Sequence, residues 1–323
     1  MKAVTYNEYG SPDVLQISDV EKPVPNDNEV LIKVHAASVN PYDWHFMRGT
    51  PYLVRIVAGL SKPKVTRLGA DVAGLIEAVG KNVAQFQPGD AVFGSCRGAF
   101  AEYVCASESG LVIKPDNVTF EQAASVPIAA LTALQGLRNK GHIQRGQNVL
   151  INGAAGGVGT FAVQIARWLG ADVTGVCSTG NVDMVRSIGA DHVVDYTRDD
   201  FTKSGRLYDI IFDTIGNHSL SAYRGVLNPG GIHVGVGGPT DLWMISTLGQ
   251  AIKALLVSTF GRKKFVGFMA RINKDDLTTI QGLMQSGKVT PVIDKYYKLI
   301  EVPEAIRYLE EGHARGKVVI ILE

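Results

Sequence analysis

The chain has 323 residues, and 46% of them are hydrophobic, so it is long enough for two domains with conventional cores. Its 32 basic and 31 acidic residues leave a formal net charge of +1, which argues against nucleic acid as a partner. Cys96, Cys105 and Cys177 are too few and too dispersed for a disulfide framework and indicate a reducing compartment. We therefore expect a cytoplasmic protein that acts on a small molecule.

The apolar parts of the sequence do not predict a membrane protein. The N-terminal residues lack the apolar core of a signal peptide. The longest apolar region, 242–260, is interrupted by Gln250 and Lys253, so no transmembrane segment is expected. We predict an amphipathic helix there, which serves as core, pocket wall or dimer contact, and a homodimer is the expected assembly. The basic residues 262–264 that follow this helix also allow contact with a membrane surface, which is the weaker alternative.

The pattern of predicted elements changes near residue 119. Before it, short β-rich runs are separated by turns, with predicted strands at 30–34, 72–79 and 91–93. Thr119 is a predicted helix cap before a helix at 123–139. The strands that follow alternate with helices in most places and lie at 148–151, 172–177, 192–194, 209–212 and 231–236. This alternation predicts a doubly wound parallel sheet.

The end of the chain returns to mixed elements, predicted as strand 265–269, helix 274–286, strand 296–299, helix 302–311 and strand 317–322. The last strand is expected to close the first domain. The predicted fold class is therefore α/β, with a doubly wound domain at 123–262 inserted into a discontinuous β-rich domain formed by 1–122 and 263–323. The cleft between two such domains is the default place for a site.

A glycine-rich turn follows the first strand of the predicted doubly wound domain. Its glycines allow a tight reversal before a helix at 160–168, so that backbone N–H groups and the helix N-terminus can hold a pyrophosphate. Gly156, Gly157 and Val158 are the residues expected at the phosphates. The spacing departs from the common G-x-G-x-x-G because Ala154 takes the first glycine position, which leaves an ordinary glycine-rich turn as the alternative.

The end of the second strand indicates which nicotinamide cofactor fits. NAD-binding domains place an acidic residue there, whereas this chain has Cys177 followed by Ser178, Thr179, Gly180 and Asn181. Hydroxyl and amide donors without a carboxylate favour the 2′-phosphate of NADPH, and NADH remains possible. Ser178 and Asn181 are the candidate contacts.

Other chemistries lack their residue patterns. The chain has no C-x-x-C pair and no His-x-x-x-His or His-Glu pair, so we expect no zinc or other metal site. It also has no G-x-S-x-G elbow and no tyrosine four residues before a lysine, which argues against a hydrolase and against a short-chain reductase. The reaction must then come from the cofactor.

Several stretches, in order, resemble the zinc-free medium-chain dehydrogenase/reductases, and in particular their quinone oxidoreductase and enone reductase branch. These stretches are ASVNPYDW at 37–44, LGADVAG at 68–74, QPGDAV at 87–92, the glycine turn at 153–159 and HARGK at 313–317. The resemblance implies a GroES-like catalytic domain, an inserted Rossmann domain, NADPH as cofactor, and quinones, enones or enals as substrates. Zinc-dependent relatives carry metal ligands where this chain has Asn40-Pro41 and Ala70-Asp71.

The same resemblance implies roles for single residues. Asn40 and Tyr42 match the active-site stretch, and Ser178 and Tyr196 match positions at the 2′-phosphate. The positions that match residues beside the nicotinamide are Thr132, Gly235, Phe268 and Met269. Two residues depart from the branch: His45 stands where many relatives have lysine, and Asn181 stands where many have a basic residue.

The hypothesis is that hydride reaches the β-carbon of an enone while Tyr42, Asn40 or His45 donates a hydrogen bond to the carbonyl oxygen. Tyr42 or solvent then protonates the α-carbon. The alternative for Tyr42 and Asn40 is that they only shape the loop. Two other functions stay open: an NAD(P)H-binding protein with a structural or redox-sensing role, and an alcohol dehydrogenase-like enzyme.

Overall fold

The structure is a computed structural model that describes residues 1–236 and 263–322. The predicted helix 242–260 lies outside the described residues. The chain forms two compact units, one of Met1–Leu131 with Ile272–Glu323 and one of Thr132–Arg271. The domain boundaries predicted from the sequence remain predictions.

The described residues form fifteen strands and nine α-helices. The strands, in chain order, are β1 (Lys2–Thr5), β2 (Gln16–Asp19), β3 (Glu29–Val39), β4 (Asp71–Val79), β5 (Ala91–Ser95), β6 (Tyr103–Ser107), β7 (Leu111–Ile113), β8 (Asn148–Asn152), β9 (Asp172–Cys177), β10 (His192–Asp195), β11 (Tyr208–Asp213), β12 (Leu227–Gly235), β13 (Lys264–Gly267), β14 (Ile293–Lys298) and β15 (Lys317–Ile321). The α-helices are α1 (Pro41–Arg48), α2 (Val54–Ala58), α3 (Phe120–Ala124), α4 (Pro127–Gln135), α5 (Gly157–Trp168), α6 (Val182–Ser187), α7 (Leu220–Gly225), α8 (Lys274–Gln285) and α9 (Val302–Glu310).

The first unit is built on a seven-stranded sheet in the order β14-β15-β3-β4-β5-β7, with β6 also paired to β3. The expectation that the last strand closes this unit is confirmed, because β15 pairs antiparallel with β3, Val318 opposite Val39. Strand β3 is longer than predicted and is buried along most of its length, so it forms the centre of an apolar core that also takes in Val302 and Ile306 of α9.

The second unit contains a six-stranded sheet in the order β10-β9-β8-β11-β12-β13. Every neighbouring pair in it is parallel, so the predicted doubly wound parallel sheet is confirmed. The chain leaves β8 toward one edge of the sheet and returns to β11 on its other side. Ligands of such sheets bind beyond the carboxyl ends of the two strands between which this reversal occurs. Here these strands are β8 and β11, which end at Asn152 and Asp213.

One helix prediction was wrong. Thr119 caps a helix as predicted, but the single helix 123–139 is in fact α3, α4 and a π-helical turn at Gly136–Lys140. The break falls at Pro127, which has no N–H for an intrahelical bond and therefore starts a new helix. The helices α1 and α2 lie in a region predicted to be mainly β. Helix α1 also starts with a proline, Pro41, in its first turn.

Candidate functional site

The glycine turn of the second unit leaves no room for a side chain at two of its positions. A Cβ on Gly159 would lie 1.9 Å from the carbonyl oxygen of Gly153, and Gly153 itself has a φ of 86°. A Cβ on Gly156 would instead lie 3.5 Å from the Gly153 oxygen, an ordinary contact. Packing therefore requires glycine at 153 and 159, whereas the missing side chain at 156 leaves space at the start of α5.

The N-terminus of α5 suits an anion. The helix has twelve residues, no acidic residue in its first turn and no side-chain cap on Gly156. The N–H of Gly156 donates to Gly153 O at 3.1 Å, so the partial positive charge of the helix end is available through the N–H groups of Gly157 and Val158. A pyrophosphate fits this cradle in charge and in space.

A buried polar network lies under the turn at the carboxyl ends of three neighbouring strands. Asp213 Oδ1 accepts hydrogen bonds from Asn152 Nδ2 (2.9 Å) and from the N–H of Gly216 (2.9 Å), and its Oδ2 lies 3.1 Å from His233 Nε2. Burial raises the pKa of Asp213, but hydrogen bonds and the charge of His233 outweigh burial and lower it to about 2. Asp213 therefore stays ionised and holds the loop after β11 in place. The sequence did not reveal this network, although Asn152 and Asp213 each follow a predicted strand and His233 lies within another.

Ser178, Asn181 and Tyr196, the candidate contacts of the 2′-phosphate, lie together. Asn181 Nδ2 donates to Ser178 Oγ at 3.0 Å, and Asn181 Oδ1 is buried with no hydrogen-bond partner among the described residues. Tyr196 follows β10, its N–H donates to Cys177 O at 3.0 Å, and its ring is exposed. The buried amide oxygen of Asn181 can accept a hydrogen bond from a ligand donor such as a ribose hydroxyl.

The region does contain a carboxylate, which the sequence analysis did not consider. Asp195 ends β10 directly opposite Cys177. Its Oδ2 accepts from Thr179 Oγ1 (2.6 Å) and its Oδ1 from Thr197 Oγ1 (2.7 Å). Hydrogen bonds from these threonines hold the pKa of Asp195 below its ordinary value. The end of β9 therefore has no acidic residue, as the sequence predicts, but the end of the neighbouring strand β10 has one.

The residues expected beside the nicotinamide occupy several elements of the second unit. Gly235 ends β12 and pairs with Gly267 of β13, and Phe268 and Met269 come directly after β13. These three residues therefore meet at the carboxyl edge of the sheet. Thr132 is buried in α4.

Helix α1 of the first unit carries two of the candidate catalytic residues, Tyr42 and His45, and the third, Asn40, is its N-cap. Tyr42 is half-buried and packs on Phe46, with ring centroids 4.2 Å apart, and burial raises the pKa of its phenol. His45 Nδ1 lies 2.7 Å from Thr50 O, and burial lowers the pKa of the imidazole. Both side chains are therefore uncharged at neutral pH. Tyr42 can act as a hydrogen-bond donor.

Asn40 is committed to buried partners. Its Oδ1 accepts from Lys317 Nζ at 2.5 Å, and its Nδ2 donates to Asp71 Oδ2 at 2.9 Å and to Ser38 O at 3.2 Å. The residue is only 2% exposed. These contacts favour the alternative that Asn40 shapes the loop at the start of α1.

Lys317 and Asp71 form a buried ion pair that sequence analysis did not identify. Their charged atoms are 3.8 Å apart, and Asp71 also accepts from Ser38 Oγ (2.9 Å) and the N–H of Ile128 (3.1 Å). Burial raises the pKa of Asp71 and lowers that of Lys317, and each charge opposes the shift of the other. The HARGK motif at 313–317 includes Lys317, but nothing in its spacing indicates Asp71 as the partner of that lysine.

Asp43 forms a second buried acidic site. One carboxylate oxygen accepts from the N–H of Asn40 (2.8 Å) and the other from the N–H of Gly69 (2.9 Å), which fixes α1 to the turn before β4. Burial raises the pKa of Asp43 to about 7, against the effect of these two hydrogen bonds.

Within residues 1–236 and 263–322, no three or more His, Cys, Asp and Glu side chains are grouped so that they could hold a metal ion. No helix in the same part of the chain is long and apolar enough to cross a membrane.

The fold and the glycine cradle define a class, the dehydrogenases in which a dinucleotide-binding unit interrupts a β-rich unit. Family models agree: the alcohol dehydrogenase GroES-like domain matches residues 26–116, and the zinc-binding dehydrogenase model matches residues 188–320. The mouse mitochondrial NAD(P)H oxidoreductase RTN4IP1 is 36% identical over 99% of this chain and 89% of its own length. The 2-methylene-furan-3-one reductase of Solanum lycopersicum is 32% identical over 99% of this chain and 79% of its own.

A solved structure extends the agreement to three dimensions. The quinone oxidoreductase from Coxiella burnetii has a TM-score of 0.89 at 32% identity, covering 100% of this chain and 99% of that one. The chain belongs to the medium-chain dehydrogenase/reductase superfamily, in its quinone oxidoreductase and enone reductase branch.

Proposed function

We propose that the protein is a reductase that uses NADPH to reduce α,β-unsaturated carbonyl compounds, such as enones and enals, or quinones, and that it does so without zinc. The observation that carries the proposal is the cradle at the N-terminus of α5. The packing of the turn does not require glycine at position 156, yet glycine stands there and leaves space for a phosphate. The names of the relatives, a furanone reductase and a quinone oxidoreductase, support the class of acceptor.

The residues of the second unit would hold the cofactor in three groups. Gly156, Gly157 and Val158 would hold the pyrophosphate. Ser178, Asn181 and Tyr196 would contact the adenosine ribose and its 2′-phosphate, and NADH stays possible because Asp195 lies on the adjacent strand. The residues that would line the nicotinamide are Thr132, Gly235, Phe268 and Met269. When bound, the nicotinamide supplies the hydride.

Tyr42 is the donor that we propose for the acceptor oxygen. Burial raises its pKa, so the phenol keeps its proton at neutral pH and can stabilise negative charge that develops on that oxygen. We assign Asn40 to positioning, since both ends of its amide are used inside the protein. His45 is a poorer candidate, because the single N–H of its neutral ring faces Thr50 O at 2.7 Å and leaves Nε2 as an acceptor. The proton for the α-carbon comes from Tyr42 or from solvent.

The chemistry of the buried donor set supports a reaction without zinc. Around Asp71 the partners are the amide of Asn40 and the ammonium group of Lys317. The lysine supplies the positive charge that balances this carboxylate, and a divalent cation there would meet an ammonium group as a neighbour.

Steady-state oxidation of NADPH and of NADH with enones, enals and quinones tests the proposal. We expect turnover with at least one acceptor class, a preference for NADPH, and full activity after dialysis against a chelator. Tight NADPH binding without turnover would favour a structural or redox-sensing role instead. Oxidation of simple alcohols with stoichiometric zinc would favour an alcohol dehydrogenase.

A further inference from the structure

A cluster of exposed apolar side chains lies in residues 52–65 of the first unit, which we term the apolar loop. Six of the seventeen large apolar side chains that are exposed in the described residues fall in it. Tyr52, Ile56, Val57 and Leu60 are each between 63% and 76% exposed. Single exposed apolar residues are ordinary, but such a concentration in one surface segment indicates a binding surface.

The apolar loop is an ordered element. It contains α2, and two hydrogen bonds fix this helix: Tyr9 Oη donates to Gly59 O at 2.6 Å, and Arg55 Nε donates to Gly49 O at 3.0 Å. The chain turns sharply at Gly59, whose φ is 120° and where a Cβ would lie 2.1 Å from Lys62 O. The exposed side chains are therefore held on a defined surface.

The stretch of sequence that contains the apolar loop carries charges of one sign. Between Asp43 and Asp71 the sequence contains no acidic residue and five basic ones, Arg48, Arg55, Lys62, Lys64 and Arg67. Arg48 pairs with Glu310, and Arg55 lies over the rings of Tyr9 and Tyr52. Lys62 and Lys64 are exposed, and neither forms an ion pair within the described part of the chain.

We propose that the apolar loop docks the protein reversibly on a bilayer that contains anionic lipids. Tyr52, Ile56, Val57 and Leu60 would enter the interface between headgroups and acyl chains, while Lys62 and Lys64 would meet the lipid phosphates and carboxylates. A second copy of the chain is a poorer occupant, because a two-fold contact through this surface would bring the same cations together. The contact is peripheral and therefore weak enough to reverse. It is independent of the reductase activity.

Co-sedimentation of the intact protein with vesicles tests the proposal. We expect binding to vesicles of phosphatidylserine and phosphatidylcholine at ~0.02 M salt, and about tenfold weaker binding at ~0.5 M salt or to phosphatidylcholine alone. The double variant Ile56→Asp, Val57→Asp and the double variant Lys62→Glu, Lys64→Glu should each weaken binding to the anionic vesicles about tenfold.

Two matched controls change the same residue types elsewhere on the surface. Val24→Asp with Ile300→Asp, and Lys140→Glu with Lys288→Glu, should bind as the parent does, since all four residues are exposed outside the apolar loop. Circular dichroism of every variant checks the fold, and the lysine variant keeps the test valid if the aspartates disturb α2.

The proposal is wrong if the parent fails to bind anionic vesicles at low salt, or if neither loop variant weakens binding. A loop variant that only dissolves a dimer, seen by light scattering, would assign the surface to a second copy instead.

Discussion

Lys317 Nζ lies 2.5 Å from Asn40 Oδ1, and the two residues are 277 positions apart in the chain. The contact joins the last strand, β15, to the residue that precedes α1, the helix that carries Tyr42. Asp71 completes the group, 3.8 Å from Lys317 and 2.9 Å from Asn40. The start of the candidate catalytic helix is therefore held by an ion pair whose cation, Lys317, comes from the last strand.

Replacement of Lys317 by methionine should destabilise the first unit strongly. Met has a similar length but no charge, so Asp71 would remain buried without its cation, at a cost of about 3–5 kcal/mol. The free energy of unfolding in urea measures the effect. The double variant Lys317→Met, Asp71→Asn should recover part of the loss, because it removes the uncompensated charge. A single variant within about 0.5 kcal/mol of the parent would show that the pair is not needed.

The sheet of the second unit could be predicted because its signals are local. Each buried strand is a short apolar run, and glycines or polar residues mark its ends. The strands from β8 to β12 were therefore predicted within a few residues of their observed bounds. The helix 123–139 was wrong since the apolar pattern continues across Pro127, and only the missing N–H of that proline shows the break.

The candidate site could be predicted only in part. The glycine cradle and Ser178 lie where a local pattern indicates them. The partners of Asn40 and Asp213, by contrast, come from strands distant in sequence, and no spacing rule brings Lys317 to Asn40 or His233 to Asp213. Buried polar contacts of this kind follow from the sheet register, which the sequence alone does not specify.

Two glycine substitutions should separate folding from cofactor binding. Gly156→Ala places a Cβ at an ordinary 3.5 Å from Gly153 O, so we expect the stability to change little while NADPH binds about tenfold or more weakly. Gly159→Ala would bring its Cβ to 1.9 Å from the same oxygen and should lower both stability and affinity. Fluorescence titration with NADPH and thermal unfolding measure the two effects.

The control for these variants is Gly225→Ala at the end of α7, where a Cβ would meet nothing within 4 Å. It should bind NADPH as the parent does. Unchanged affinity in Gly156→Ala would contradict the assignment of the turn to the pyrophosphate.

Ser178→Asp should shift the cofactor preference from NADPH toward NADH. A carboxylate after β9 would repel the 2′-phosphate and could accept a hydrogen bond from the ribose hydroxyl of NADH. We expect the ratio of kcat/KM for NADPH over NADH to fall about tenfold or more. Ser187→Asp, on the exposed end of α6, adds the same charge elsewhere and should leave the ratio unchanged. An equal ratio in both variants would remove Ser178 from the cofactor site.

Asp43 should make the stability of the protein depend on pH. Its pKa in the folded state, about 7, lies above the ordinary value of 3.8, so the folded state binds the proton more tightly than the unfolded state does. The resulting stabilisation is fully present below about pH 4 and is lost as the pH rises to about 7, by about 4 kcal/mol at most.

The measurement compares urea unfolding of the parent and of Asp43→Asn between about pH 4 and pH 8, where the stability of the parent relative to the variant should fall with pH. The parent compared with Asp183→Asn, which changes an exposed residue in α6, should show no such trend. A flat difference for Asp43→Asn would mean that Asp43 is ionised throughout this range.

Tyr42→Phe tests the proposed donor. The change removes only the hydroxyl and keeps the ring that packs on Phe46 at 4.2 Å, so the fold should survive. Charge develops on the carbonyl oxygen during reduction of an enone, and the loss of one donor there should lower kcat by about 10- to 100-fold while KM changes less. Quinones need this donor less, so their kcat should fall less. Tyr296→Phe, an exposed tyrosine in β14, should keep full activity with both acceptor classes. Full enone activity in Tyr42→Phe would remove Tyr42 from the reaction and transfer the donor role to solvent.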